Sequence, residues 1–404
     1  MEKMKNYINI SGFNISQSNR GNAALNFGSL SFLRLKGYID EETELIAYRF
    51  CRNPFKVLLL KPVIFNFNYE GRQWNYAKYP VSALERWLLC HFHFIIPWTR
   101  FGKTIKKTKL AVADFGGDGF SDIYGQKILD NRYDQYTAIS KAGIPFIILP
   151  QTIGPFQKKN NLNYAISVIK YAKEIYVRDD KFTEQLKKLK VNFTRTPDLS
   201  SFMLPEPFDI EIRKEAIGLN VSGLAYFNNF PNLEGQFDTY PSLIDSIIRY
   251  FQNKGCHIYL IPHSYNYSNP VSFNDDMEAC RLVYKRLSNK KNIFFVNQNL
   301  SAPQVKYVIS KMNFFIGTRM HANFAAIYTG VPLFGLAYSY KFSGAFYANG
   351  LNGDKQTYMI NNMSQTSIGD VINKIEIVYN ESKIEHEQKN YSNTLTSVLP
   401  IQRK

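Results

Sequence analysis

Short apolar runs recur along this chain, each closed by a glycine or polar cluster and followed by a helix-length amphipathic segment. That rhythm constrains the fold more than any other feature, because it is the pattern of β-α units wound around parallel sheets. In the first half the runs are YINI (7–10), LAVA (110–113), FIIL (146–149) and IYV (175–177). In the second they are AIGLNV (216–221), HIYLI (257–261), IFFV (293–296), FFI (314–316) and LFGLA (333–337). The expectation is an α/β protein with two doubly wound, Rossmann-like halves. A chain of 404 residues also exceeds one comfortable core and predicts two domains. The stretch TPDLSSFMLPEPFDIEIRK has three prolines and no period, and reads as a hinge near 198–213. The expected domains are 1–205 and 206–365, with a helical tail over 366–404 in which SIGDVINKIEIVYNESK is amphipathic.

Hydrophobic residues make up 45% and aromatics 15%, which excludes a disordered chain. The formal charge of +16 suits phosphorylated small molecules, anionic membranes or nucleic acid without choosing among them. Cys51, Cys90, Cys256 and Cys280 are spread out, with no CxxC pair and no ligand-spaced histidines, as expected of reduced thiols in a cytoplasmic protein. The N-terminal MEKMKNYINISGFN turns polar too soon for a signal peptide, and no stretch approaches the ~20 apolar residues of a membrane span. Residues 40–108 fit the β-α rhythm poorly and read as a basic, aromatic insertion. There ALERWLLCHFHFIIPWTRFGKTIKKTK joins an apolar segment to Arg100, Lys103, Lys106, Lys107 and Lys109. Two readings are open: contact with an anionic lipid surface at the inner face of a membrane, or a buried helix followed by a solvated basic loop.

Ligands of open parallel sheets bind at the carboxyl ends of the strands. After LAVA comes DFGGDGFSD, where Gly116, Gly117 and Gly119 would let backbone N–H groups approach a ligand beside Asp118. After FIIL, Gln151 and Thr152 precede a Gly154-Pro155 turn; tight turns account for both loops equally well. After IYV comes Arg178, with Asp179 or Asp180 as the cap of a following helix. A cation at a helix N-terminus opposes the dipole unless it shares an anion there or pairs with an adjacent aspartate. In the second half Asn220, Ser222 and Gly223 follow one strand, and His263 and Ser264 the next.

The segment GTRMHANFAAIYTGVP, residues 317–332, reads as a strand end, a turn at Gly317, a cap at Thr318, a three-turn helix over 319–328 and a stop at Gly330. Arg319 and His321 would then sit in the first turn, beside unpaired N–H groups at the positive end of the dipole, a place made for an anion. Arginine offers a planar fork for carboxylate or phosphate. Histidine there feels the dipole against its charge and a bound anion in favour of it, which suits proton exchange near neutrality. Lys341, after the neighbouring strand, would add a further cation.

At these residues the sequence resembles the polysaccharide pyruvyl transferase family. The matching pieces are NRGNAAL, DFGGDGFSDIYG, LPQTIGPF, YVRDDKF, TPDLS and, most specific, GTRMHANFAAIYTGVPLFGLAYSYKFSG. The resemblance implies a GT-B-like fold, two Rossmann-like domains facing a cleft. It implies transfer of the enolpyruvyl carbons of phosphoenolpyruvate to two hydroxyls of a sugar, giving a cyclic ketal and phosphate. The acceptor it implies is a cell-surface glycan or its precursor, free or lipid-linked. It places Arg319, Met320, His321 and Arg178 at the donor. Two positions depart from relatives: Asn22 stands where an aspartate is common, and Gly154 where some members carry a histidine, leaving His263 as the candidate second histidine.

On this reading Arg319, Arg178 and Lys341 hold the donor, His321 supplies a proton, and Asp118 or His263 deprotonates the acceptor. No metal or other cofactor is expected, since no ligand-spaced cluster appears. The competing enzyme is a GT-B glycosyltransferase using a nucleotide sugar. The competing binder is a non-catalytic basic protein on membrane or nucleic acid; against nucleic acid, no recognition motif appears and the cations gather at strand ends.

Overall fold

The computed structural model describes residues 6–15, 18–51, 57, 60–113 and 117–398, with side chains through residue 384. The chain forms two compact units, Met1–Gln17 with Asn22–Leu204, and Pro205–Lys404 with the short piece Ser18–Gly21.

The first unit is built on strands β1 (Asn6–Ser11), β2 (Thr43–Cys51), β3 (Val63–Tyr69), β4 (Arg72–Ser82), β5 (Thr108–Ala113), β6 (Phe146–Gln151), β7 (Glu174–Val177) and β8 (Thr194–Arg195). They form one sheet in the order β3-β4-β2-β1-β5-β6-β7-β8. Its helices are α1 (Arg20–Leu35), whose first two residues belong to the second unit, α2 (Ala83–Phe92), α3 (Arg100–Ile105), α4 (Gln126–Lys141), α5 (Lys159–Tyr171), α6 (Thr183–Lys188) and α7 (Leu199–Phe202). All pairings are parallel except β3 with β4. Strands β5 and β6 are buried almost throughout, as apolar runs covered by helices on both faces must be.

Residues 40–108 are therefore not an insertion. They supply β2, β3, β4, α2 and α3, and β2 and β4 extend the parallel sheet outward from β1. Strand β3 folds back on β4 through Glu70 and Gly71, at φ 53° and 71°, the pair of left-handed residues a tight hairpin needs. This outer part hides from the β-α rhythm because β3 is largely exposed and β4 alternates, so neither shows a continuous apolar run.

The second unit has β9 (Ala216–Asn220), β10 (His257–Leu260), β11 (Ile293–Phe295), β12 (Phe314–Gly317), β13 (Leu333–Ala337) and β14 (Thr357–Met359). Its helices are α8 (Gly223–Phe227), α9 (Tyr240–Asn253), α10 (Asp276–Arg286), α11 (Ala302–Ser310), α12 (Met320–Ile327), α13 (Lys341–Ala348), α14 (Gly353–Gln356) and α15 (Ile368–Val398). The strand order β11-β10-β9-β12-β13-β14 is all parallel and reverses between β9 and β12, which makes their carboxyl ends the expected ligand crevice. Successive strand residues enter opposite cores: Ile217, Leu219, Phe314 and Ile316 on one face, Ala216, Phe315 and Leu333 on the other. The tail is part of this unit, since α15 lays Val371, Ile375, Val378 and Tyr379 into the first of these cores. None of the described helices is long and apolar enough to cross a membrane.

Candidate functional site

At the reversal point Gly317 of β12 stands opposite Asn220 of β9. Thr318, fully buried, does not cap α12; its hydroxyl donates to the Asn220 carbonyl at 3.3 Å and meets the Tyr240 hydroxyl at 2.8 Å. Arg319 takes the capping position with extended backbone, and its N–H donates to Asn220 Oδ1 at 2.9 Å. The helix has two turns rather than three, Met320–Ile327, because the strand end holds Thr318 and Arg319 outside it. Asn323 ties the helix back, donating from Nδ2 to the Gly317 carbonyl at 3.0 Å. Gly330, at φ 72°, ends the turn beyond it, as expected.

The Arg319 fork is already engaged. Nε and Nη2 donate to Asp276 Oδ1 at 3.0 and 2.6 Å, and Nη2 also to Asn274 Oδ1 at 2.6 Å. Burial opposes its charge, but Asp276 outweighs burial and holds the guanidinium pKa above its ordinary value. Asp276, wholly buried, also accepts from Gly223 N (2.8 Å), Ser264 N (2.9 Å), His263 N (3.1 Å) and Asn220 Nδ2 (3.2 Å). It is not the helix cap; Asp275 is, accepting from Glu278 N at 3.0 Å. One carboxylate thus fixes Arg319 and the loops after β9 and β10 together.

His263 is buried, and its pKa lies well below 6.5 through burial first, then the charges of His321, Arg319 and Arg20. It is a neutral imidazole at neutral pH. Arg20 reaches this cluster from far away in the chain: its guanidinium donates to the Tyr265 carbonyl at 2.7 Å, the Leu300 carbonyl at 3.1 Å and Asn299 Oδ1 at 2.9 Å, and lies 3.6 Å from the Tyr265 ring centroid. Its N–H donates to the His263 carbonyl. The next residue, Gly21, lies against the His321 ring; a Cβ there would sit 2.6 Å from Nδ1. His321 is half-buried in the first turn of α12, its ring edge-on to Phe324 at 5.6 Å. Met320 packs against the core. Lys341, exposed, is the first residue of α13, just past the loop that follows β13. The structure brings Arg319, His321 and His263 together with Asp276 and Arg20, and leaves Met320 to packing.

The first unit has its own strand-end cluster. Thr152 N donates to the Gly117 carbonyl at 2.8 Å, and the Arg178 guanidinium lies over Gly117. Arg178 donates from Nη1 to Asp198 at 2.5 Å and from Nε to the Thr152 hydroxyl at 3.0 Å. Burial opposes its charge; Asp198, Asp179 and Asp118 together raise its pKa. Its close ion pair is with Asp198, twenty residues on, while Asp179 stands 4.0 Å away. Neither Asp179 nor Asp180 caps α6, which begins at Thr183; Asp179 instead accepts from the Thr152 hydroxyl and Asp180 pairs with Arg195. Asp118 accepts from the Tyr124 hydroxyl at 2.6 Å. Gln151 is buried, with Nε2 donating to the Ala113 carbonyl at 3.4 Å and Oε1 without a partner among the described residues. Gly116 lies outside the described residues. Among the described residues no group of His, Cys, Asp and Glu is placed to hold a metal ion.

Sequence reasoning missed Asp276, Asn274, Arg20 and the role of Asp198. The usable signal for Asp276 was its duplication with Asp275, since one acid suffices to cap a helix.

The profile described as polysaccharide pyruvyl transferase matches residues 19–340. A search of curated protein sequences finds no match. Among solved structures, UDP-GlcNAc 2-epimerase from Methanocaldococcus jannaschii superposes with TM-score 0.53 at 10% identity, over 93% of each chain. UDP-GlcNAc 2-epimerase from Neisseria meningitidis gives TM-score 0.49 at 11% identity over 94% of each chain. ADP-heptose LPS heptosyltransferase II from E. coli gives 0.42 at 12% over 94% of this chain and 99% of that one. At these identities the first likeness shows the fold alone, which is GT-B-like with two parallel α/β units.

Proposed function

Because the chain belongs to the polysaccharide pyruvyl transferase family, we propose that it carries the three carbons of phosphoenolpyruvate onto two hydroxyls of a cell-surface glycan or its precursor, forming a pyruvate ketal and releasing phosphate. The observation that carries this reading is the second unit's cluster: Arg319 locked by Asp276, with His321 and a neutral His263 beside it at the strand-order reversal. Nη1 of Arg319, which neither Asp276 nor Asn274 engages, and the first-turn N–H groups of α12 bind the donor's carboxylate or phosphate. His321 delivers a proton to the methylene carbon, which becomes methyl and leaves C2 oxocarbenium-like. One sugar hydroxyl adds to C2, the C2–O bond to phosphate breaks, and the second hydroxyl closes the ketal. Of the two hydroxyl protons lost, one restores the proton spent at carbon and the other leaves with phosphate. His263, uncharged near neutrality, is the group able to accept one of them. Lys341 is a further donor contact on this reading. In the first unit, Arg178, Gly117, Asp118 and Gln151 form a separate set proposed to contact substrate. The enzyme works in the cytoplasm, where phosphoenolpyruvate is made, and needs no cofactor.

The test is incubation of the full chain with phosphoenolpyruvate and a panel of free and lipid-linked glycans, following phosphate release and ketal formation together. Phosphate and ketal should appear in equal amounts and only with a glycan present. Turnover of a nucleotide sugar with no use of phosphoenolpyruvate would replace this reading with a glycosyltransferase.

A further inference from the structure

Helices α2 and α3 of the first unit turn their inner faces into one core. Leu89 from α2, and Phe101 and Ile105 from α3, pack with Tyr48 and Val81, and the Phe101 and Tyr48 rings meet edge to face at 5.0 Å. Both helices therefore cover the same face of the sheet, and their other faces point away from it. On α2 that outer face is apolar: Leu84, Trp87 and Phe92 are exposed, with the Trp87 ring tilted against His91 at 5.3 Å and meeting Phe92 edge-on at 5.1 Å. The loop that follows adds Phe94 and Trp98, the latter 74% exposed. On α3 Lys103 is exposed, and past the helix end so are Lys106 and Lys107, while Phe101, Thr104, Ile105 and Thr108 are buried.

The charge on this segment has one sign. Between Ala83 and Lys109 the only acid is Glu85, and it is consumed in the capping box of α2, accepting from Ser82 N at 3.1 Å. On the adjoining α4, Asp134 is paired with Arg86. A face that sets exposed tryptophans and phenylalanines beside unpaired-sign lysines matches the headgroup boundary of an anionic bilayer. The rings enter the acyl margin and the lysine stems let their ammonium groups reach the phosphates. A protein partner fits less well, because lysine is depleted from protein interfaces.

We propose that this outer face of α2, the following loop, α3 and the turn after it is a docking surface for an anionic phospholipid membrane, with Trp87, Phe92, Phe94 and Trp98 inserted and Lys103, Lys106 and Lys107 on the headgroups. The surface is independent of the transfer chemistry.

The full chain is mixed with vesicles of phosphatidylglycerol and phosphatidylcholine, or of phosphatidylcholine alone, at low and high salt. Binding is read by co-sedimentation and by tryptophan fluorescence. The chain has three tryptophans and Trp74 is buried, so a blue shift and quenching by brominated acyl chains report on Trp87 and Trp98. Binding should need the anionic lipid and weaken with salt, and both Trp87→Ala/Trp98→Ala and Lys103→Glu/Lys106→Glu/Lys107→Glu should lower it by roughly tenfold or more. The lysine variant alters only exposed side chains, so it carries the test even if the tryptophan variant folds poorly. No binding to anionic vesicles, equal binding to phosphatidylcholine alone, unchanged binding by the lysine variant, or capture of a protein partner without vesicle binding would each overturn the proposal.

Discussion

Asp276 carries a negative charge in a place without solvent, and its two oxygens are filled by donors from Arg319, Gly223, His263, Ser264 and Asn220. Removing it strands the Arg319 charge and three backbone N–H groups, so Asp276→Ala should cost about 3–5 kcal/mol, measured by urea unfolding. A loss within about 0.5 kcal/mol, the range of an ordinary surface change, would show that the ion pair holds nothing together. His321 is the opposite case, a half-buried side chain on a helix end. His321→Ala should abolish ketal formation while the unfolding midpoint at neutral pH stays put, and residual turnover at the wild-type rate would remove it from the reaction. Gly21→Ala separates position from identity. The added Cβ would fall 2.6 Å from Nδ1 and 2.9 Å from Cβ of His321, so the ring must shift. The expected result is a fall in kcat with donor KM little changed, since Arg319 is untouched; a normal kcat would mean the ring position is not critical.

At the scale of elements, what the sequence revealed and what it hid follow from burial. Strands such as β6 and β12 are covered on both faces, so their apolar runs are continuous and legible. β3 and β4 are partly exposed and join through Glu-Gly rather than the commoner Asn-Gly, so neither run nor turn announces itself. The order strand, glycine, helix placed His321 in the first turn of α12, but put Arg319 inside the helix where it proves to be the cap. It could not reveal that Arg319 is spoken for, because Asp276 lies 43 residues away and reads as a cap. Arg20 was further out of reach, 245 residues from the carbonyl it bonds. Helix α15 shows the legible case again, with Val371, Ile375, Val378 and Tyr379 on one helical stripe. Ile375 is wholly buried and Ile377 half-exposed. Ile375→Ala should therefore cost about 2–5 kcal/mol of unfolding free energy, whereas Ile377→Ala should stay within about 0.5 kcal/mol. Equal effects would mean that the helix does not pack through that stripe.

At the scale of the whole molecule, stability must depend on pH through the groups whose proton affinity changes on folding. Asp122 and Glu174 are held below their ordinary values of 3.8 and 4.5. For Asp122 hydrogen bonds from Asn161, Gln157 and Lys158 overcome burial; for Glu174 the bonds come from the Tyr176 and Tyr38 hydroxyls. Their contribution is present above those values and is lost only in strong acid. His263 acts earlier. Folding depresses its pKa well below 6.5, so between 6.5 and the depressed value the unfolded chain binds a proton that the native chain refuses. Stability therefore falls as pH drops below 6.5, by at most about 1.4 kcal/mol per pH unit for this one group. His263→Gln should flatten the loss measured by urea unfolding between about pH 7 and about pH 5. An unchanged slope would show that His263 is not a buried neutral imidazole. The groups facing it make a second arm possible, because the charges of His321, Arg319 and Arg20 are what add to burial in keeping it neutral. Of the three only His321 can be removed without stranding a bonded guanidinium. In His321→Ala the His263 pKa should move back towards its ordinary value, the acid window should narrow, and the slope should end at a higher pH than in the wild-type chain.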